Sequence, residues 1–137
     1  MKLMAIRQTL PESSPLDLLG GGIATTEVHR LFFALMPDEA TRSELTAVAE
    51  GLRVSRPRLR ARWIHPSRYH ATLKFLGDHA ALRPDMVDGA IAAAAQVRAA
   101  PFDWSLDRVD SFRGREPPCV LRSDEVPAPM QQLWKAL

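Results

Sequence analysis

The chain has 137 residues, 46% of them hydrophobic and 25% charged, with a formal net charge of +2: ordinary values for a soluble globular protein, and enough chain for one domain with a real core. One cysteine, Cys119, excludes a disulfide framework and a cysteine-based metal site within the chain. No stretch approaches the ~18 apolar residues of a membrane span, and Arg7 cuts short the apolar start Met1-Lys2-Leu3-Met4-Ala5-Ile6 before it reaches the length of a secretory leader, so a soluble cytoplasmic protein is expected.

Residues 1–28 mix Pro, Ser and a Gly20-Gly21-Gly22 run, which predicts a flexible extension ahead of a single domain over 29–137. Arg30-Leu31-Phe32-Phe33-Ala34-Leu35 is a short apolar run bounded by Pro37 and reads as a strand buried on both faces. Asp38 is placed to cap a helix with Glu39 in its first turn and an apolar stripe of Leu45, Val48, Ala49 and Leu52; Gly51 lies near its end. A basic linker follows over 53–62, interrupted by Pro57. The run 62–78 predicts a short strand, a Pro66-Ser67 turn and a longer strand over Tyr69 to Leu76, closed by a Gly77-Asp78 turn.

From Pro84 a second helix is signalled by Met86, Val87, Ala90, Ile91, Ala94 and Val97, and Pro101 stops it. Phe102, Trp104 and Leu106 alternate with polar residues as a half-buried strand continuing to Val109; Cys119-Val120-Leu121 is a further short strand. Met130, Leu133, Trp134 and Leu137 begin a third helix. Short strands and helices in this order predict an α+β domain. Gly20-Gly21-Gly22 lacks both the Walker lysine and the dinucleotide-binding spacing, which speaks against nucleoside triphosphate chemistry.

Of the 18 basic residues only Lys2, Lys74 and Lys135 are lysines, and six arginines fall at 53, 56, 58, 60, 62 and 68. The planar guanidinium suits phosphate oxygens; arginine abundance in general equally fits a GC-rich coding bias. On an extended strand His70, Thr72 and Lys74 share one face, with about 6.6 Å between successive members. An imidazole and a hydroxyl so placed can both reach one tetrahedral phosphate, the imidazole exchanging protons near neutral pH. Lys74 adds charge at the edge. On spacing alone, the same pattern also describes the solvent-facing side of an ordinary strand. Arg113 and Arg115 lie in a loop before a strand, either as phosphate contacts or as a solvated loop. Trp63 and Trp104 read as core, His65 as a surface residue and Cys119 as a buried thiol.

The ordered run Arg30 to Leu35, then Arg62-Trp63-Ile64 with Pro66, then Tyr69-His70-Ala71-Thr72-Leu73-Lys74-Phe75-Leu76-Gly77-Asp78 resembles the first half of the bacterial RNA 2′,3′-cyclic phosphodiesterases, the "2′-5′ RNA ligase" type of 2H phosphoesterase. So do Pro101-Phe102 and, further on, Phe112 with arginines before a short strand. The likeness extends over residues 29–137. It implies a LigT-like α+β fold of two similar lobes, with antiparallel sheets and flanking helices around a cleft, each lobe supplying one His-x-Thr. It also implies hydrolysis of a terminal 2′,3′-cyclic phosphate without metal or other cofactor. By that likeness His70 is the proton donor and Thr72 holds the phosphate; Lys74, Arg113 and Arg115 are further substrate-binding candidates.

The family pattern departs here in one respect. His29, His65 and His79 do not form a second catalytic His-x-Thr, so the second lobe is expected to be incomplete, through truncation, frameshift or degeneration. Three functions follow from the reading: a phosphodiesterase for RNA or nucleotide cyclic phosphates, a non-catalytic RNA-end or nucleotide-binding module of the same fold, or an enzyme for another small phosphodiester. An uncovered lobe face would also favour self-association, and no membrane partner is expected.

Overall fold

The computed structural model describes residues 1–11, 25–114 and 117–137. These residues form two compact units, one made of 1–35, 72–97 and 137, the other of 36–71 and 98–136.

The first unit is built around the apolar run near residue 30. It lies in β2 (Thr25–Leu35), which pairs antiparallel with β1 (Lys2–Pro11) in a register that sets Lys2 opposite Ala34 and Pro11 opposite Thr25. β3 (Ala71–His79) flanks β2 on the other side, giving the sheet order β1-β2-β3. Successive side chains of a strand point to opposite faces, and Leu31, Phe32, Phe33 and Ala34 are all buried, so both faces of β2 are covered there, as the unbroken apolar run requires. Leu73 of β3 joins them. Helix α2 (Pro84–Gln96) starts with Pro84 in its first turn, where the missing N–H costs nothing, and Arg83 pairs with Asp85 across that start. Its apolar stripe of Met86, Val87, Ala90 and Ala94 is half-buried, while Ile91 is exposed.

Of the extension expected over 1–28, Lys2–Pro11 and the stretch from Thr25 onward are paired strand, and residues 12–24 lie outside the described residues. Arg7 sits on this strand and ion-pairs with Glu27 at 3.1 Å.

The turn expected at Gly77-Asp78 is also corrected: β3 runs through both residues. The Arg30 guanidinium on β2 grips the Asp78 carboxylate with two hydrogen bonds of 2.8 Å and lies 5.5 Å from the Phe75 ring centre. That fork fixes β3 beside β2, and it holds the Asp78 carboxyl below the usual carboxylate range. Gly77 accommodates a φ of +123°, and a Cβ there would lie 3.1 Å from Nε2 of His79. Glycine is needed at this position for conformation and space, not to reverse the chain.

The second unit carries α1 (Glu39–Ser55), capped as expected by Asp38, whose side chain accepts from the Thr41 N–H at 2.8 Å. The helix passes Gly51 and Arg53 and stops only at Ser55; Pro57 disfavours a helical residue before it and sets the end. Leu45, Ala49 and Leu52 are half-buried, whereas Val48 is 47% exposed and falls outside the packed stripe.

Phe102, Trp104 and Leu106 keep the expected half-buried alternation but form no ladder. Strand pairing begins at β4 (Arg108–Ser111), antiparallel to β5 (Cys119–Arg122). Asp110 bonds Arg122 at 2.6 Å, and Arg108 pairs with Asp124. Cys119 is half-buried, and burial pushes its thiol pKa up, as suits an unreactive side chain. Helix α3 (Ala128–Ala136) buries Met130 and Leu133; Trp134, read as part of that stripe, is 55% exposed.

Candidate functional site

The segment that leads to the His-x-Thr motif is fixed by local chemistry. Pro66-Ser67-Arg68 forms one turn of 3₁₀ helix, closed by Arg68 N–H to His65 O at 2.9 Å and Tyr69 N–H to Pro66 O at 3.0 Å. His65 caps this turn. Its Nδ1 accepts the Ser67 N–H at 3.3 Å and lies 2.8 Å from the Ser67 hydroxyl oxygen. The sequence identified His65 as a surface residue; the side chain is exposed and its work is structural.

The turn in turn positions the carbonyl of Arg68, which lies 2.8 Å from Nδ1 of His70. A carbonyl oxygen can only accept, so Nδ1 carries the proton on that side of the ring. Proton exchange with a substrate then falls to Nε2, in either charge state of the imidazole. His70 is exposed and immediately precedes β3, one residue short of the strand expected to contain it.

Exposure alternates through the motif: Tyr69 half-buried, His70 exposed, Ala71 half-buried, Thr72 exposed, Leu73 buried. That is the sidedness an extended segment imposes, with the two polar members toward solvent. His70 belongs to the second unit and Thr72 to the first. Lys74 is half-buried on β3.

Arg113 is exposed in the β4–β5 connection, beside Gly114, whose φ of +151° suits glycine. Arg115 lies outside the described residues. A link that the sequence did not reveal ties this hairpin to the lead-in of the motif: Arg62 N–H donates to Pro117 O at 3.0 Å, in a parallel bridge of Arg62 with Pro118. All six arginines of the 53–68 cluster are exposed. Among the described residues only Arg53 of these six has a carboxylate partner, Glu50 at 3.7 Å. Also among the described residues, no three of His, Cys, Asp and Glu are grouped so as to hold a metal ion, and no helix is long and apolar enough to cross a membrane.

Neither a curated protein nor a solved structure matches the chain. A family model does. The model of the LigT-like phosphoesterases matches residues 35–121, well over half of the chain, and takes in α1, the 3₁₀ turn, His70, Thr72, Lys74 and the β4–β5 hairpin. With an α+β architecture that agrees with that fold, this chain belongs to the LigT-like phosphoesterase family, within the 2H phosphoesterase superfamily, and phosphoesterase-type chemistry is the activity that membership supports.

Proposed function

We propose that the chain works on 2′,3′-cyclic phosphate ends of RNA or nucleotides, with His70 as proton donor and Thr72 as a phosphate ligand. The carrying observation is the His70 ring itself, exposed and oriented through Nδ1 by the Arg68 carbonyl at 2.8 Å. In the reaction a water oxygen attacks phosphorus and loses its proton to a base. The bond from phosphorus to one ribose oxygen breaks, and Nε2–H of His70 protonates that oxygen as it leaves. The Thr72 hydroxyl donates to a non-bridging phosphate oxygen. Lys74, Arg113 and Arg115 add positive charge for the substrate's phosphates. No step calls on a metal or other cofactor.

The base belongs to a second histidine in this mechanism, and the 137 residues contain one His-x-Thr that fits the role. A second reading is a module that grips RNA ends or nucleotides without turnover. Both readings place phosphate on the same residues, and both use the exposed arginines at 53, 56, 58, 60, 62 and 68 as an electrostatic approach to them.

Binding to short single-stranded RNA ending in a cyclic phosphate tests this charge-based reading. If about three phosphates are neutralised, affinity falls roughly 20-fold over a fourfold rise in salt, because released counterions drive such binding. An isotherm measured at 50 and 200 mM salt checks it. Affinity that ignores salt, or no binding at the lower concentration, removes the arginines from the RNA-contacting surface.

A further inference from the structure

Phe112 is 66% exposed, an unusual setting for a phenylalanine that a short hairpin could have turned inward. It lies next to the exposed Arg113, at the start of the connection between β4 and β5. That connection is braced on both sides of the ring. The Ser111 hydroxyl donates to Pro118 O at 3.2 Å across the hairpin, and Ser111 N–H is turned onto the Asp110 carboxylate at 2.7 Å. Pro117 O receives the Arg62 N–H at 3.0 Å, which ties the same connection to the chain leading into the 3₁₀ turn and His70. Arg62 and Arg113 are both exposed. The hairpin therefore carries an exposed aromatic ring next in sequence to an exposed arginine, Arg113, within the unit that carries His70.

We infer that Phe112 is a stacking platform for the base of the nucleotide whose phosphate the motif engages. The inference rests on that proposed reading and deepens it by naming a contact to the base, which base-free phosphodiesters lack. Unpaired bases are held by stacking on aromatic side chains, with arginines on the adjoining phosphates. A phenylalanine ring moves through only two side-chain torsions, so little freedom is lost when a base covers it. Stacking is tolerant of base identity, and the platform selects for a base without choosing among bases.

The test compares adenosine 2′,3′-cyclic phosphate with glycerol 1,2-cyclic phosphate, which offers the same reacting group and no base, by calorimetric titration of the whole chain. The wild-type protein binds the nucleotide more tightly. Phe112→Ala reduces that preference by about 5- to 150-fold, the range of one lost base–aromatic stack, and Phe112→Trp keeps it. An unchanged preference in Phe112→Ala overturns the platform while leaving the phosphate reading intact. A Phe112→Ala protein that unfolds, or melts several degrees lower, overturns it as well by making the ring a packing residue. Wild-type protein that binds neither compound ends both inferences.

Discussion

His70→Ala lowers turnover of a 2′,3′-cyclic nucleotide by at least about 100-fold, since a positioned general acid contributes ~10²–10⁴-fold. The comparison is made where a second His-x-Thr is supplied by further chain or by a partner, because the mechanism needs two proton transfers and these 137 residues carry one suitable motif. Without that second group the chain's turnover is held down by a similar factor. His65, the nearest histidine in sequence, is occupied in capping the 3₁₀ turn, and its Nδ1 already accepts the Ser67 N–H. Thr72→Ala costs less, about tenfold, as one hydrogen bond to a charged group is worth about 1.5–3 kcal/mol and water replaces part of it. Both side chains are exposed, so neither change should disturb folding, and circular dichroism of the variants checks that. Near-normal turnover in His70→Ala would remove the residue from the chemistry.

The largest effect on stability is expected at β2. Phe33 is 2% exposed in the central strand of the three-stranded sheet, with Leu31 and Ala34 buried beside it. Phe33→Ala removes the whole ring from a site that cannot collapse without moving the paired strands. Such truncations cost about 3–5 kcal/mol, against a total stability of about 5–15 kcal/mol for a domain. Urea unfolding should show the loss as a lower midpoint. Phe75→Ala makes the contrast: that ring is 53% exposed, with the Arg30 guanidinium 5.5 Å from its centre, so its removal costs well under half as much. Equal effects at the two positions would mean that β2 is not the centre of the core.

Local signals carried much of the fold. The run from Leu31 to Ala34 announces a doubly covered strand because nothing in it tolerates water. Asp38 announces α1 because its carboxylate answers an N–H three residues on, and Met130 with Leu133 mark the packed face of α3. What escaped depends on partners distant in sequence. Leu3, Met4, Ala5 and Ile6 show no clean alternation, and only pairing with β2 makes them a strand. Gly77-Asp78 has turn composition, yet Arg30, 48 residues earlier, recruits Asp78 into β3.

The candidate site divides in the same way. His70 and Thr72 were singled out by the family pattern around them, since spacing alone equally describes the solvent-facing side of an ordinary strand. The carbonyl that orients the His70 ring depends on the 3₁₀ turn, and the exposure of Phe112 depends on a hairpin braced through Ser111 and Arg62. Trp104 alternates like a strand residue, but its segment pairs with nothing until Arg108.

The central claim is that His70 meets the phosphate of a cyclic nucleotide, and the histidine ring resonances read this directly. The chain has four histidines, His29, His65, His70 and His79, assignable by single substitution. Titration with adenosine 2′,3′-cyclic phosphate, followed by nitrogen-edited NMR of the imidazoles, should shift the Nε2 and Hε1 signals of His70 along a saturable curve. The His29 and His79 signals should stay in place, with at most a small response at His65. A His70 ring that does not move while the nucleotide saturates the protein would contradict the account.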